Sequence, residues 1–156
     1  MLRRLSAPVA AAAAGATVLL TGGPVMADAP SSATPAPSTC SGVVRINSLT
    51  FSPAEVAPGG TSAATLKATN CTGVTQSVTE TWTARWGSDA SGGIPQGCPV
   101  LDPLLRGVSF APYAHNATST GYLVFAGCTA DRLTVTVTLR QGTTLLGQRS
   151  ADLLIT

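Results

Sequence analysis

The sequence predicts an all-β protein: a sandwich of two antiparallel sheets built from about seven short strands. Three observations carry that expectation. From Arg132 to Arg140 the chain alternates strictly, Leu133, Val135, Val137 and Leu139 interleaved with Thr134, Thr136 and Thr138. A period of two puts an aliphatic row on one face and a hydroxyl row on the other, as a half-buried strand requires. Shorter alternating runs recur between Gly- and Pro-marked turns, and no helical periodicity intervenes between them.

The N-terminal end reads as a targeting signal. Arg3 and Arg4 precede an Ala/Val/Leu run from Pro8 to Leu20, too short to span a bilayer, and Val25-Met26-Ala27 supplies a small–x–small cleavage site. Residues 1–27 are therefore expected to be a signal peptide and the protein to be secreted to the extracellular space. Residues 28–39 (DAPSSATPAPST) form a Pro/Ala/Ser-rich leader with nothing to bury, and residues 40–156 form one domain. Cleavage removes both arginines that make up the formal excess of +2. A charge-balanced mature chain has no broad footprint for nucleic acid or for a membrane surface.

Within the domain, Gly42 to Ser52 is the first strand. Val44 and Ile46 share one parity and Leu49 and Phe51 the other, a switch that marks a bulge or a strand passing between sheets. Ser52 to Gly60, with two prolines and two glycines, is a turn. The second strand is Thr61 to Asn70, with Ala64, Leu66 and Ala68 inward, small enough to leave room for bulk opposite. That bulk is expected on the third strand, Val74 to Trp86, where Val78, Trp82 and Trp86 share a face. Glu80 has the same parity; an unpaired carboxylate does not enter a core, so a bulge or an exposed strand end is expected there. Gly87 to Gly107 reads as irregular, followed by a short strand at Val108–Phe110, another at Thr118–Ala126, and the closing hairpin. In that hairpin Gln141-Gly142 turns the chain, and Leu145, Ala151, Leu153 and Ile155 form the returning apolar row.

Leu49-Thr-Phe-Ser-Pro53, Val56, Pro58-Gly-Gly-Thr61 and Ala68-Thr-Asn70 resemble the opening of the immunoglobulin-like, adhesion-type (CARDB-like) modules of secreted actinobacterial proteins. The resemblance covers the first third of the domain. It implies an immunoglobulin-like sandwich and no functional residue, because such sandwiches host many roles.

Four cysteines, Cys40, Cys71, Cys98 and Cys128, read as two disulfides in an exported domain. If successive strands run up and down, Cys40 and Cys71 share one pole and Cys98 and Cys128 the other. Each bridge then closes a loop of roughly 30 residues, about 3–4 kcal/mol in the chain-entropy model. A zinc site lacks a C-x-x-C pair and has only His115 as a nitrogen donor.

Catalytic motifs are weak. Asp89-Ala-Ser91-Gly-Gly93 with His115 has the reverse chain order of a trypsin-like site, and no nucleophile elbow, phosphate loop or zinc-protease helix occurs. Asp89 and Asp102 lack the spacing of a calcium loop. No metal, cofactor or catalytic residue is expected. Asn70-Cys-Thr72 and Asn116-Ala-Thr118 match a glycan acceptor pattern.

The expected function is thus a secreted, non-catalytic binding module for an extracellular protein or glycan. Its candidate contact loop is Pro99, Val100, Leu101 and Asp102. One alternative is a protease inhibitor: Cys98-Pro-Val-Leu-Asp-Pro103 resembles, one residue short, the reactive loop of secreted subtilisin inhibitors, which implies Val100 or Leu101 as the residue entering the protease. A further alternative is carbohydrate binding, with Trp82 and Trp86 as an exposed stacking platform.

Overall fold

The computed structural model describes residues 40–87 and 93–156. The expected signal peptide and leader lie outside the described residues. The chain is all-β, with eight strands. They are β1 (Val44–Ser52), β2 (Glu55–Val56), β3 (Thr61–Asn70), β4 (Gln76–Trp86), β5 (Leu104–Phe110), β6 (His115–Leu123), β7 (Arg132–Gln141) and β8 (Thr144–Ile155). One sheet has the order β1-β3-β6, the other β2-β8-β7-β4-β5.

Alternation decides which face each strand buries. Leu133, Val135, Val137 and Leu139 of β7 are fully buried, as are Ala64, Leu66 and Ala68 of β3 on the opposite sheet. Trp82 of β4 joins the same core and is 1% exposed. The parity switch in β1 is a bulge: pairing with β3 shifts between Ile46 and Ser48, which lets both Val44 and Leu49 face inward.

Four details depart from the sequence reading. The turn after β1 contains β2, which pairs parallel with β8 through Glu55–Leu154 and Val56–Ile155, so the sandwich is not wholly antiparallel. β5 begins at Leu104 rather than Val108, paired along β4 from Leu104–Trp82 to Phe110–Gln76, and the irregular segment is correspondingly shorter. β6 begins and ends earlier than expected. In β8 a bulge next to Leu139–Gly147 leaves Leu146 unpaired and sets Leu145 opposite Arg140, so Leu145 is 52% exposed and Leu146 packs on the core instead.

Glu80 is the larger correction. No bulge or exposed end removes it: its residue is wholly buried. Its Oε2 accepts from the Trp82 indole N–H at 3.0 Å, and the Thr118 hydroxyl reaches both carboxylate oxygens at 2.9 and 3.0 Å. Arg106, opposite Glu80 in register, sets its guanidinium carbon 5.7 Å from the Trp82 ring centroid and donates to the Ser119 carbonyl at 2.7 Å. A carboxylate is tolerated in this core because buried donors are aimed at it.

The disulfides are Cys40–Cys71 and Cys98–Cys128, one at each pole. Asn70, at the end of β3, is a hub at the first pole. Its side-chain amide donates to the Val74 and Ala111 carbonyls at 2.7 and 2.9 Å, and its Oδ1 accepts from the Thr72 N–H at 2.9 Å. Buried and so engaged, Asn70 is no glycan acceptor in the folded chain.

Candidate functional site

The second pole gathers the ends of β4 and β7 and the segment before β5. Trp86 is the last residue of β4 and, like Val78 and Trp82, faces the sandwich interior. Its indole N–H donates to the Pro99 carbonyl at 2.8 Å. The segment around Pro99 is fixed from other directions too. Cys98 is bonded to Cys128, and the Thr129 N–H donates to the Gln96 carbonyl at 3.0 Å. Gly97 has φ +72°, and a Cβ there would meet the Gly127 carbonyl oxygen at 1.9 Å. Only glycine allows that approach.

Beyond these ties the four predicted contact residues are displayed in sequence. Pro99 is half-buried, Val100 is 72% exposed, Leu101 is half-buried against the core, and Asp102 is exposed. An open cleft of about 490 Å³ lies between this segment and the end of β4, lined by Ala84, Trp86, Ile94, Pro99, Val100 and Leu101 among others. Ile94, Leu104, Leu123 and Phe125, from this segment and from strand ends at the same pole, are exposed as well. Val74 and Leu145 are exposed at the other pole.

A second cleft, about 360 Å³, opens on the outer face of the five-stranded sheet. It is lined by Thr83, Arg85, Trp86, Gly87, Arg132, Thr134 and Thr136. The alternation of β7 puts Thr134 and Thr136 on the face away from the aliphatic row, and nothing in the sequence pattern singles out the two arginines. Register pairs Arg85 with Thr134, which places Arg132 at the diagonal position on the same face.

The aromatic platform is overturned: Trp82 is sealed in the core and Trp86 is turned inward as a clamp on Pro99. Asp89 and Ser91 lie outside the described residues, and the Nδ1 of His115 is hydrogen-bonded to the Thr69 hydroxyl at 2.7 Å, at the start of β6 near the first pole. Among the described residues no group of three or more His, Cys, Asp or Glu side chains is placed to hold a metal ion.

No family model and no curated protein matches the chain. Among solved structures, the alkylpurine DNA glycosylase AlkC of Pseudomonas fluorescens, bound to DNA containing an abasic site analog, is similar, with a TM-score of 0.52 and 15% identity. The match covers 73% of this chain and 30% of that one, so the chain spans under a third of the glycosylase. At that identity the likeness concerns fold alone.

Proposed function

We propose that the chain is a secreted, non-catalytic binding module of immunoglobulin-like type that holds an extracellular protein partner at the Cys98–Cys128 pole. The sheet orders β1-β3-β6 and β8-β7-β4, with β5 beside β4, support the immunoglobulin-like reading. Two disulfides suit an oxidising compartment. The observation that carries the reading is Val100: an aliphatic side chain 72% exposed on a segment fixed by a disulfide and by Trp86. A pre-held apolar anchor binds with little ordering cost. The test is capture from culture fluid and cell-surface extract with the immobilised wild-type chain and with Val100→Asp. A protein retained by the first and absent from the second supports the proposal; identical retention by both contradicts it.

One observation favours a second reading, protease inhibition. The Pro99 carbonyl is held while Val100 projects outward, the posture a substrate-like inhibitory loop adopts. Stoichiometric inhibition of a subtilisin-like protease, lost in Val100→Asp or Leu101→Asp, would establish it in place of the first.

A further inference from the structure

Arg85 borders both clefts, whereas Arg132 and the threonines belong to the outer cleft between β4 and β7 and not to the apolar one. Arg85 and Arg132 are both exposed, diagonal neighbours on one face, about 7–8 Å apart at the backbone. Among the described residues neither guanidinium has a hydrogen-bond or ion-pair partner. Two carboxylates lie near the cleft: Asp131 Oδ1 is turned to the same space beside Gly87 as Arg132 Nε, and Asp152, opposite Thr134, accepts from its hydroxyl. Gly87 itself leaves room for the Arg132 stem: a Cβ there would come within 2.5 Å of Arg132 Cγ. Neither carboxylate forms an ion pair with Arg85 or Arg132 among the described residues, so an oxyanion seated between the two guanidinium groups can accept from both forks.

The hydroxyls beside them are already hydrogen-bonded within the fold, those of Thr134 and Thr83 as donors. Thr134 donates to Asp152 Oδ1 at 2.6 Å and Thr83 to the Thr136 carbonyl at 3.3 Å, while Thr136 and Ser150 share a hydrogen bond of 2.7 Å. Their remaining lone pairs are acceptors for O–H or N–H donors. A ligand that satisfies this cleft therefore presents an anionic group with several donors close beside it. An acidic peptide offers backbone N–H groups set back from its carboxylates; a charged sugar chain carries hydroxyls on the anionic unit itself.

We infer that the cleft formed by Arg85, Arg132, Thr83, Thr134 and Thr136 binds an oxyanion on a hydroxylated polymer, a uronate-bearing polysaccharide or a polyol phosphate. This goes beyond the protein contact proposed above and does not depend on it. The cleft's volume falls in the range of small-ligand sites, room for one charged unit of a longer chain.

The test is titration of the purified chain, by calorimetry at low and moderate salt, with polygalacturonate, poly(glycerol phosphate), neutral dextran and poly-glutamate. Binding to polygalacturonate or to poly(glycerol phosphate) is expected, and which of the two binds identifies the source of the anion. Dextran and poly-glutamate are expected to bind at least tenfold more weakly. Arg85→Ala and Arg132→Ala should each weaken binding about tenfold or more, and Thr136→Val a few-fold, with unchanged melting temperature because all three positions lie on the outer face. Lys67→Ala, which removes an exposed charge from the other sheet, should leave affinity intact. The inference is overturned if neither polyanion binds, if the arginine variants bind as wild type does, if Lys67→Ala weakens binding equally, or if poly-glutamate binds as well as the sugar polymer. None of these results bears on Val100, so failure here and failure of the protein contact are scored separately.

Discussion

Replacing Glu80 tests the polar centre of the core. In the folded chain its carboxylate is the acceptor for the Trp82 indole N–H at 3.0 Å and for the Thr118 hydroxyl at 2.9 Å. Glu80→Ala strands both donors away from water, at about 1–3 kcal/mol each. It also opens a cavity between the sheets, which adds to the loss. Against this, the variant no longer has to desolvate a buried carboxyl group, which offsets part of the penalty. A net loss of about 2–4 kcal/mol is expected. Glu80→Gln is the informative partner. Both donors converge on Oε2, so one amide oxygen can accept from both, and the variant loses little beyond the charge assistance, about 1 kcal/mol. Equilibrium urea unfolding followed by tryptophan fluorescence measures both variants. Glu80→Ala as stable as wild type, or Glu80→Gln as damaging as Glu80→Ala, would refute this role for the carboxylate.

Three further predictions concern the pole and the pH range. Trp86→Phe keeps the ring and removes the donor to Pro99, so hydrogen exchange at Val100 and Leu101 should rise while global stability falls by only about 1 kcal/mol. Cys98→Ser with Cys128→Ser opens a loop whose ends are 30 residues apart in sequence, for an expected loss of about 3–4 kcal/mol by thermal or urea unfolding. Burial pushes the Tyr122 phenol above its ordinary pKa, partly countered by Arg106. The protonated phenol is favoured in the fold, so its contribution is complete below the unfolded value near 10 and disappears as pH rises through the folded one. Tyr122→Phe should flatten the alkaline loss of stability seen by urea unfolding above about pH 10.

How much the sequence disclosed follows from how local each signal is. β7 was legible because its alternation is unbroken, and the cysteine poles followed from counting strands. The bulge in β1 showed as a change of parity between Ile46 and Leu49. β5 did not show itself because it breaks the code both ways: Leu105 faces solvent, Arg106 faces the interior, and Gly107 sits mid-strand. β2 is two residues inside a Pro/Gly turn, and its parallel partner is the far end of the chain. Leu145 and Leu146 differ only by a bulge that no residue type announces. The contact loop was visible as a Pro-flanked segment after Cys98, but what holds it was not. The Trp86 bond to Pro99, the Gly97 approach to Gly127 and the Thr129 bond to Gln96 are all contacts between separate segments. Glu80 carried its own signal, since its parity matched Val78 and Trp82; what the sequence lacked was Thr118, brought to the carboxylate from the other sheet.

Site-specific photo-crosslinking tests the contact surface most directly. A photoreactive residue is placed at Val100, and in a separate chain at Leu145, which is similarly exposed but lies at the opposite pole. Each chain is irradiated in culture fluid and with intact cells. A discrete protein adduct from position 100, and none from position 145, is the predicted result. Adducts from 145 alone, equal adducts from both, or none from position 100 would contradict a contact surface at the Cys98–Cys128 pole.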